Sequence, residues 1–332
     1  MARRSRRLLP ARRHWFAVAV VLVVVAASSG CAHSGQGQRG RPASSSAELP
    51  PSLAHRPLAF VERADERTDH IFVARPDGSA RRQIDHDPGC KQRPIWSPDG
   101  RRIAYRFMPG CDYERDHVVV IGEDGNGRFD LSTKLGVFGN SPSWSPDGRA
   151  LAFAGMRSAQ GRPDPGDRPL GLYIAAVDGG SSRRVTPRSL GEVQYPMWSP
   201  DGRTIAFQVS RDAGFELYSV APDGTQLKRL TSTTSSAEWP MWSPDSQRIA
   251  YGVEGGTSAL WVMRADGQGS RPIRKGVGVP GNWAPGEWLV ANCVVRPPDT
   301  IGICAVSPDG TAQRTLLGGR DAGFAAWRPG TG

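Results

Sequence analysis

One short word keeps coming back along this chain: Trp96-Ser97-Pro98-Asp99-Gly100-Arg101. It returns at Trp144–Arg149 and Trp198–Arg203, frays at Trp242-Ser243-Pro244-Asp245-Ser246, fades at Trp283-Ala284-Pro285-Gly286, and closes the chain at Trp327-Arg328-Pro329-Gly330. The six tryptophans are separated by 48, 54, 44, 41 and 44 residues. A period of about 40–45 residues with strand-turn-strand content is the spacing of a β-propeller blade. The repeat therefore speaks clearly about architecture and far less about what is bound.

Each unit reads as four strands. The first ends at the tryptophan and turns at Ser-Pro-Asp-Gly, where proline suits the second turn position and glycine the left-handed one that closes a bulged hairpin. The second strand carries an aliphatic-Ala-aromatic word: Ile103-Ala104-Tyr105, Leu151-Ala152-Phe153, Ile205-Ala206-Phe207 and Ile249-Ala250-Tyr251. A small residue between two large ones lets neighbouring sheets approach while the large ones fill the gap. The third strand leads to a further Asp-Gly turn at Asp77, Asp124, Asp178, Asp223, Asp266 and Asp309, each preceded six residues earlier by an aliphatic. A polar fourth strand follows, as in Lys228-Arg229-Leu230-Thr231, and a charged edge discourages pairing with other chains.

Counting the parts sets the topology. The first unit begins with a second strand, Leu58-Ala59-Phe60, and the chain ends with a first strand, Phe324-Ala325-Ala326-Trp327. The expected fold is all-β: a six-bladed propeller of four-stranded antiparallel blades, its N-terminal blade completed by the C-terminal strand. Closure of that kind removes both open edges at the seam. Deleting Gly323–Gly332 should then destabilise the whole ring.

These words resemble the repeat of TolB-type propellers, WD-like repeats of bacterial envelope proteins, over roughly Pro57 to Pro329. The same repeat is similar to the propeller that precedes the hydrolase domain of prolyl-oligopeptidase-type peptidases. TolB itself carries an α/β domain ahead of its propeller, which has no counterpart between Cys31 and Leu58. The resemblance implies the fold and an envelope setting; function does not follow from fold.

The formal charge of +10 invites a nucleic-acid partner, but Arg3, Arg4, Arg6, Arg7, Arg12 and Arg13 all precede Trp15, and the remainder carries only +4. That is an ordinary soluble surface, so no nucleic-acid partner is expected. After those arginines come an apolar run from Trp15 to Ala27 and the small residues Ser28-Ser29-Gly30, a secretory signal pattern. The run is too short to span a bilayer comfortably as a helix. Cys31 then resembles the lipidated cysteine of a bacterial lipobox, with Ser28 standing where that pattern prefers an aliphatic residue; an uncleaved anchor and simple secretion are the other readings. The expected layout is a lipoprotein-type signal peptide over 1–30, a flexible tether over 31–56 and the propeller over 57–332. Residues 32–56 are rich in Ser, Gly, Pro, Gln and Arg, a composition that cannot bury enough apolar area to fold.

Four cysteines remain, an even number in an exported chain. Cys293 and Cys304 flank the Pro297-Pro298 turn, where a hairpin brings them across from each other. Cys90 precedes one strand and Cys111 follows the next, which places both at one end of a blade. Two disulfides, Cys90–Cys111 and Cys293–Cys304, are expected; zinc is the alternative, although neither pair has C-x-x-C spacing.

No G-x-S-x-G nucleophile elbow, H-E-x-x-H motif or phosphate-binding loop is present in the sequence. His70 and His117 occupy equivalent positions and read as strand-opening polar residues, while His86, in Asp85-His86-Asp87, reads as a solvated loop residue; none of the three points first to metal binding or catalysis. Glu123–Asp130 faintly suggests a calcium loop, but an Asp-Gly turn falls there in every unit. No cofactor or metal is expected.

Variable connections on a rigid scaffold are where propellers place recognition. Those connections are Glu62–Asp69, Arg106–Asp116, Met156–Pro169, Gln208–Gly214 and Asn292–Thr300, on the face opposite the uniform turns. Nearest the central channel should stand Arg93, Asn140, Tyr195, Glu238, Trp239 and Asn282, with Trp239 the strongest single candidate because Trp242 already supplies the core ring. The expectation is a non-catalytic, monomeric, lipid-anchored envelope scaffold that binds another envelope protein through this face. A carbohydrate-active or hydrolytic propeller with a site at the channel mouth, or a small-ligand sensor, is the alternative.

Overall fold

The described residues form six antiparallel sheets, five of four strands and one of five. The computed structural model describes residues 49–112, 115–159, 162–212, 214–232, 235–254, 259–275, 277–284, 288–296, 300–317 and 322–329. All of them lie in one unit, Ser44–Gly332. Cys31 and the expected signal segment lie outside the described residues.

The inner strands of blades 2 to 6 are Cys90–Trp96, Val137–Trp144, Val193–Trp198, Ser236–Trp242 and Val277–Trp283. Blade 1 is assembled from both ends of the chain, in the order Ala322–Trp327, Leu58–Asp65, Thr68–Ala74, Arg82–Gln83. Leu58 pairs with Trp327 and Ala59 with Ala326, so the C-terminal strand closes the ring as the repeat count requires. Blade 3 gains its fifth strand, Arg162–Pro163, from the longest of the variable connections.

The Ser-Pro-Asp-Gly turns explain their own sequence. The Ser97 hydroxyl donates to Asp99 Oδ1 at 2.5 Å and accepts from the Arg102 amide at 2.9 Å, while Asp99 also accepts from the Arg101 amide at 3.1 Å. Ser145, Ser199, Ser243 and Ser307 repeat the pattern. Gly100 takes φ +65° where a side chain would be strained; in the frayed copy Ser246 accepts φ +60° instead. Bonds from the serine hydroxyl and the next amide hold Asp147 and Asp245 below the usual carboxylate range. These aspartates are turn formers.

Packing between blades follows the aliphatic-Ala-aromatic word. Strand alternation sends the alanine to one face and its large neighbours to the other. At four junctions the alanine face of one blade meets the tryptophan, aliphatic and aromatic of the next, as Ala104 with Trp144, Leu151 and Phe153, and Ala206 with Trp242, Ile249 and Tyr251; Ala250 meets Trp283 and Leu289, with Ala291 in the aromatic place. At the seam Val290 fills the alanine position against Trp327, Leu58 and Phe60. Leu49 and Leu53 join this last cluster, and Pro51–Ala54 forms a short helix. The expected tether is therefore shorter at its C-terminal end, because two leucines there have an apolar cleft to fill.

Both expected disulfides are present, Cys90–Cys111 with Cα atoms 4.8 Å apart and Cys293–Cys304 at 6.0 Å. The first closes the entrance of blade 2 to its 3-10 turn Pro109–Cys111. In the second, Cys293 stands opposite Gly302 and Cys304 opposite Ala291, a diagonal pair rather than a directly facing one. Several expected loops are strand extensions: Leu58–Asp65, Ile205–Arg211 and Leu289–Arg296 carry the ladders into them.

Candidate functional site

Each inner strand slips its register just before the tryptophan. The slips fall between Gln92 and Ile95, Asn140 and Ser143, Gln194 and Met197, and Glu238 and Met241. The residue three before the tryptophan is thereby thrown out of the ladder, with φ +54° at Arg93, +53° at Ser141, +48° at Tyr195, +55° at Trp239 and +48° at Phe324. Pro280 holds the equivalent position in the sixth blade but stays in the ladder opposite Ala291, and its pyrrolidine ring forbids a positive φ. A bulge re-aims side chains, and here it brings Arg93 against Tyr195 and Phe324, and Tyr195 beside Trp239. The next position is proline in four blades, Pro94, Pro142, Pro196 and Pro240. Proline suits an inner edge because it has no N–H to leave unpaired.

The result is a narrow axial cavity lined by Arg93, Ile95, Pro142, Met197, Met241 and Phe324 among others. Only about 20 Å³ of it admits the centres of water molecules, room for a water or two rather than for a sugar ring. The Arg93 guanidinium stacks on Tyr195, its carbon 4.5 Å from the ring centre, and lies 6.0 Å from the ring of Phe324. Tyr195 in turn stands 6.3 Å from Trp239, tilted by 60°. Arg93 makes no hydrogen bond or ion pair among the described residues, and its Nη1 is enclosed and unpartnered, as is the Ser141 hydroxyl. Burial lowers Arg93 to about 10, which leaves it cationic at neutral pH.

The sequence candidates thus divide. Arg93, Tyr195 and Trp239 come together at the axis. Asn140 sits one residue off the bulge and donates to Asp116 Oδ2 at 2.8 Å, beside the paired Arg106–Asp116. Glu238 is buried, and burial raises it to about 7 although the Ser236 hydroxyl donates to it. Asn282 belongs to the seam: its Oδ1 accepts from the Trp327 amide at 2.8 Å and its Nδ2 donates to the Trp327 carbonyl at 3.2 Å. Phe324 and Ser141 were missed; counting three back from every tryptophan in the sequence finds both.

The tryptophans are stitched around the ring in two ways. Where the preceding residue is apolar, the indole N–H of the next blade donates to that residue's carbonyl: Trp144 to Ile95, Trp242 to Met197, Trp283 to Met241 and Trp96 to Ala326. Where it is polar, as at Ser143 and Asn282, its side chain instead accepts the backbone N–H of the next tryptophan, Trp198 or Trp327. Trp198 then turns its indole to Gly202, and the indole nitrogen of Trp327 has no partner.

The other titratable candidates lie in structural contacts. Gln83 Nε2 bridges the Nδ1 atoms of His70 and His86 at 3.1 Å each, and His117 Nδ1 meets Asp130 at 2.8 Å. Asp85 accepts from the Tyr105 hydroxyl and stands 3.4 Å from the buried Lys91 ammonium, which burial pulls below its ordinary value against the attraction of Asp85. Asp124 accepts the Asn126 amide and side chain at 2.9 Å each, an Asp-Gly turn like the rest. Among the described residues no three His, Cys, Asp or Glu side chains are grouped to hold a metal ion.

A family model described as the TolB beta propeller domain matches residues 43–285. Similar solved structures include TolB from Acinetobacter baumannii, at 20% identity and TM-score 0.69, covering 85% of this chain and 68% of that one. A nidogen/laminin complex chain matches at 10% identity and TM-score 0.62, covering 82% and 98%. An oligogalacturonate lyase from Vibrio parahaemolyticus matches at 11% identity and TM-score 0.54, covering 80% and 77%. These identities speak for the fold alone. No curated protein matches the chain.

Proposed function

Because this chain belongs to the TolB β-propeller domain family, we propose that it is a non-catalytic binding scaffold of the cell envelope that engages another envelope protein through its variable loop face. The observation that carries this reading is the cluster at the axis. Arg93, Tyr195, Trp239 and Phe324 are large, partly open to solvent, and held in left-handed backbone at a bulge. Aromatic residues and arginine are the side chains on which protein interfaces most often concentrate their affinity. By contrast, His70, His86, His117 and the turn aspartates are taken up in contacts within the fold, which favours binding over chemistry.

Export and anchoring complete the proposal: signal cleavage before Cys31, lipidation there, and a tether that leaves a single propeller free to face a partner. Two or more acyl chains give lasting membrane attachment where one does not. Labelling cells with a palmitate analogue should mark the wild-type protein and spare Cys31→Ser, which should leave the membrane fraction. Affinity capture from envelope membranes should retain a defined partner on wild-type protein and lose it with Trp239→Ala. Capture that is identical for both proteins, or empty for both, would refute the scaffold reading at this face.

A further inference from the structure

We infer that the axial cluster is a carboxylate-receiving site, in which Arg93, with the Ser141 hydroxyl of the next blade as a second donor, accepts the acidic side chain or the C-terminal carboxylate of a bound protein segment. The inference rests on the scaffold reading and names the chemistry of its partner. Its ground is a charge that the fold leaves unanswered. Arginine is rarely left without an anionic or carbonyl partner once part of its guanidinium is withdrawn from water, as the Arg93 Nη1 is, because a buried unpaired donor costs about 1–3 kcal/mol and more when charged.

Elsewhere in this chain the rule holds. Arg184 and Arg188 converge on Asp167, Arg106 on Asp116, and Arg229 on Glu216. On the outer rim Arg183 reaches the carbonyl of Pro222, and Arg274 that of Gly310. Arg93 breaks the pattern. Its planar face is stacked on Tyr195, its Nη1 is enclosed without an acceptor, and Ser141, the neighbouring bulge residue, presents a second enclosed and unpartnered donor. Two donors at adjacent bulge positions, with one fixed positive charge and no acid against them, are complementary to a carboxylate. Stacking fixes the plane of the guanidinium, so a carboxylate can be met by a fork of two parallel N–H groups.

The rest of the cavity selects the carrier. Its walls are Ile95, Pro142, Met197 and Met241, apolar and adaptable, and the free volume admits little beyond the carboxylate group itself, so the segment that carries it stays at the mouth. A pyranose ring does not fit in that space, which favours an acidic peptide over an acidic sugar.

The test uses the detergent-solubilised full chain and four probes: acetyl-Gly-Gly-Glu-amide, acetyl-Gly-Gly-Gly with a free carboxylate, acetyl-Gly-Gly-Gln-amide and tetragalacturonate. Binding is read by isothermal titration calorimetry, a readout that every variant retains. The two carboxylate peptides should bind at least tenfold more tightly than the glutamine peptide, with the stronger of the two identifying side chain or chain end. Arg93→Gln should abolish that preference, and Ser141→Ala should reduce it. Should Arg93→Gln fail to fold, Arg93→Lys keeps the charge, and the preference should still fall severalfold because the fork is gone. Equal binding of acidic and neutral peptides, a preference that survives in Arg93→Gln, or tighter binding of tetragalacturonate than of either peptide overturns the inference. A partner captured equally by wild-type protein and Arg93→Gln sinks the carboxylate site alone. Failure of capture altogether sinks the scaffold reading.

Discussion

Replacing Asn282 by alanine separates a closure residue from a recognition residue. Its amide makes two hydrogen bonds to the backbone of Trp327, at 2.8 and 3.2 Å, and Trp327 is the last residue of the strand that completes blade 1. Alanine leaves one N–H and one carbonyl at the seam unpaired, each worth about 1–3 kcal/mol if water cannot reach it. Two effects reduce the sum. Asn282 is only partly buried, so water recovers some of the loss. The Trp327 indole, unpartnered in the native ring, becomes free to donate to the residue 282 carbonyl as its counterparts do in four other blades, which returns about 1 kcal/mol. The expected net loss is about 2 kcal/mol, or roughly 3–4 °C in Tm for a domain of this size. Ser143→Ala, which removes one bond to Trp198, should cost about half as much. Urea and thermal unfolding of the two variants and the wild type measure this directly. If Asn282→Ala unfolds within 0.5 kcal/mol of wild type, or costs less than Ser143→Ala, the account of the seam is wrong. Unchanged stability with loss of a captured partner would make Asn282 a contact after all.

Glu238 is raised by burial from its ordinary value to about 7. Between about pH 4.5 and 7 the unfolded chain therefore loses this proton while the folded chain keeps it, and native stability falls as pH rises through that window, by up to about 3 kcal/mol at 1.36 kcal/mol per unit. Glu238→Gln should remove that slope and gain most over wild type near pH 8, and parallel pH profiles for the two proteins would contradict the assignment. At the closing strand, Trp327 is 1% exposed, and Trp327→Ala should cost about 3–5 kcal/mol. Trp198→Ala should cost distinctly less because that ring is only partly buried; equal costs would show that the seam carries no special load. Truncation at Gly323 should abolish cooperative unfolding, since it strips blade 1 of its inner strand and leaves the edge of Leu58–Asp65 unpaired.

Much of this was written along the chain. The tryptophan words, their serine and aspartate turns and the aliphatic-Ala-aromatic strands are local patterns, and a repeat forces each copy into an equivalent place. Blade number, seam and both cysteine pairs followed from counting. The tether boundary did not, because the burial of Leu49 and Leu53 depends on a cleft beside Trp288 that belongs to the far end of the chain. The candidate site was half legible. Arg93, Tyr195 and Trp239 were found, while Phe324 and Ser141 were passed over in favour of residues one or two positions away.

The reason lies in the bulge. Sequence alone determined which residues stand near the axis, since period and turn chemistry are properties of neighbours along the chain. It did not determine which of them leave the ladder, because a register slip depends on how an inner strand sits against its partner within the closed ring. Nor did it assign Asn282 to the seam, where Trp327 waits 45 residues on. Whether a guanidinium finds a carboxylate or is left with only aromatic faces is likewise decided by what the other blades bring to it, and only the tertiary structure holds that answer.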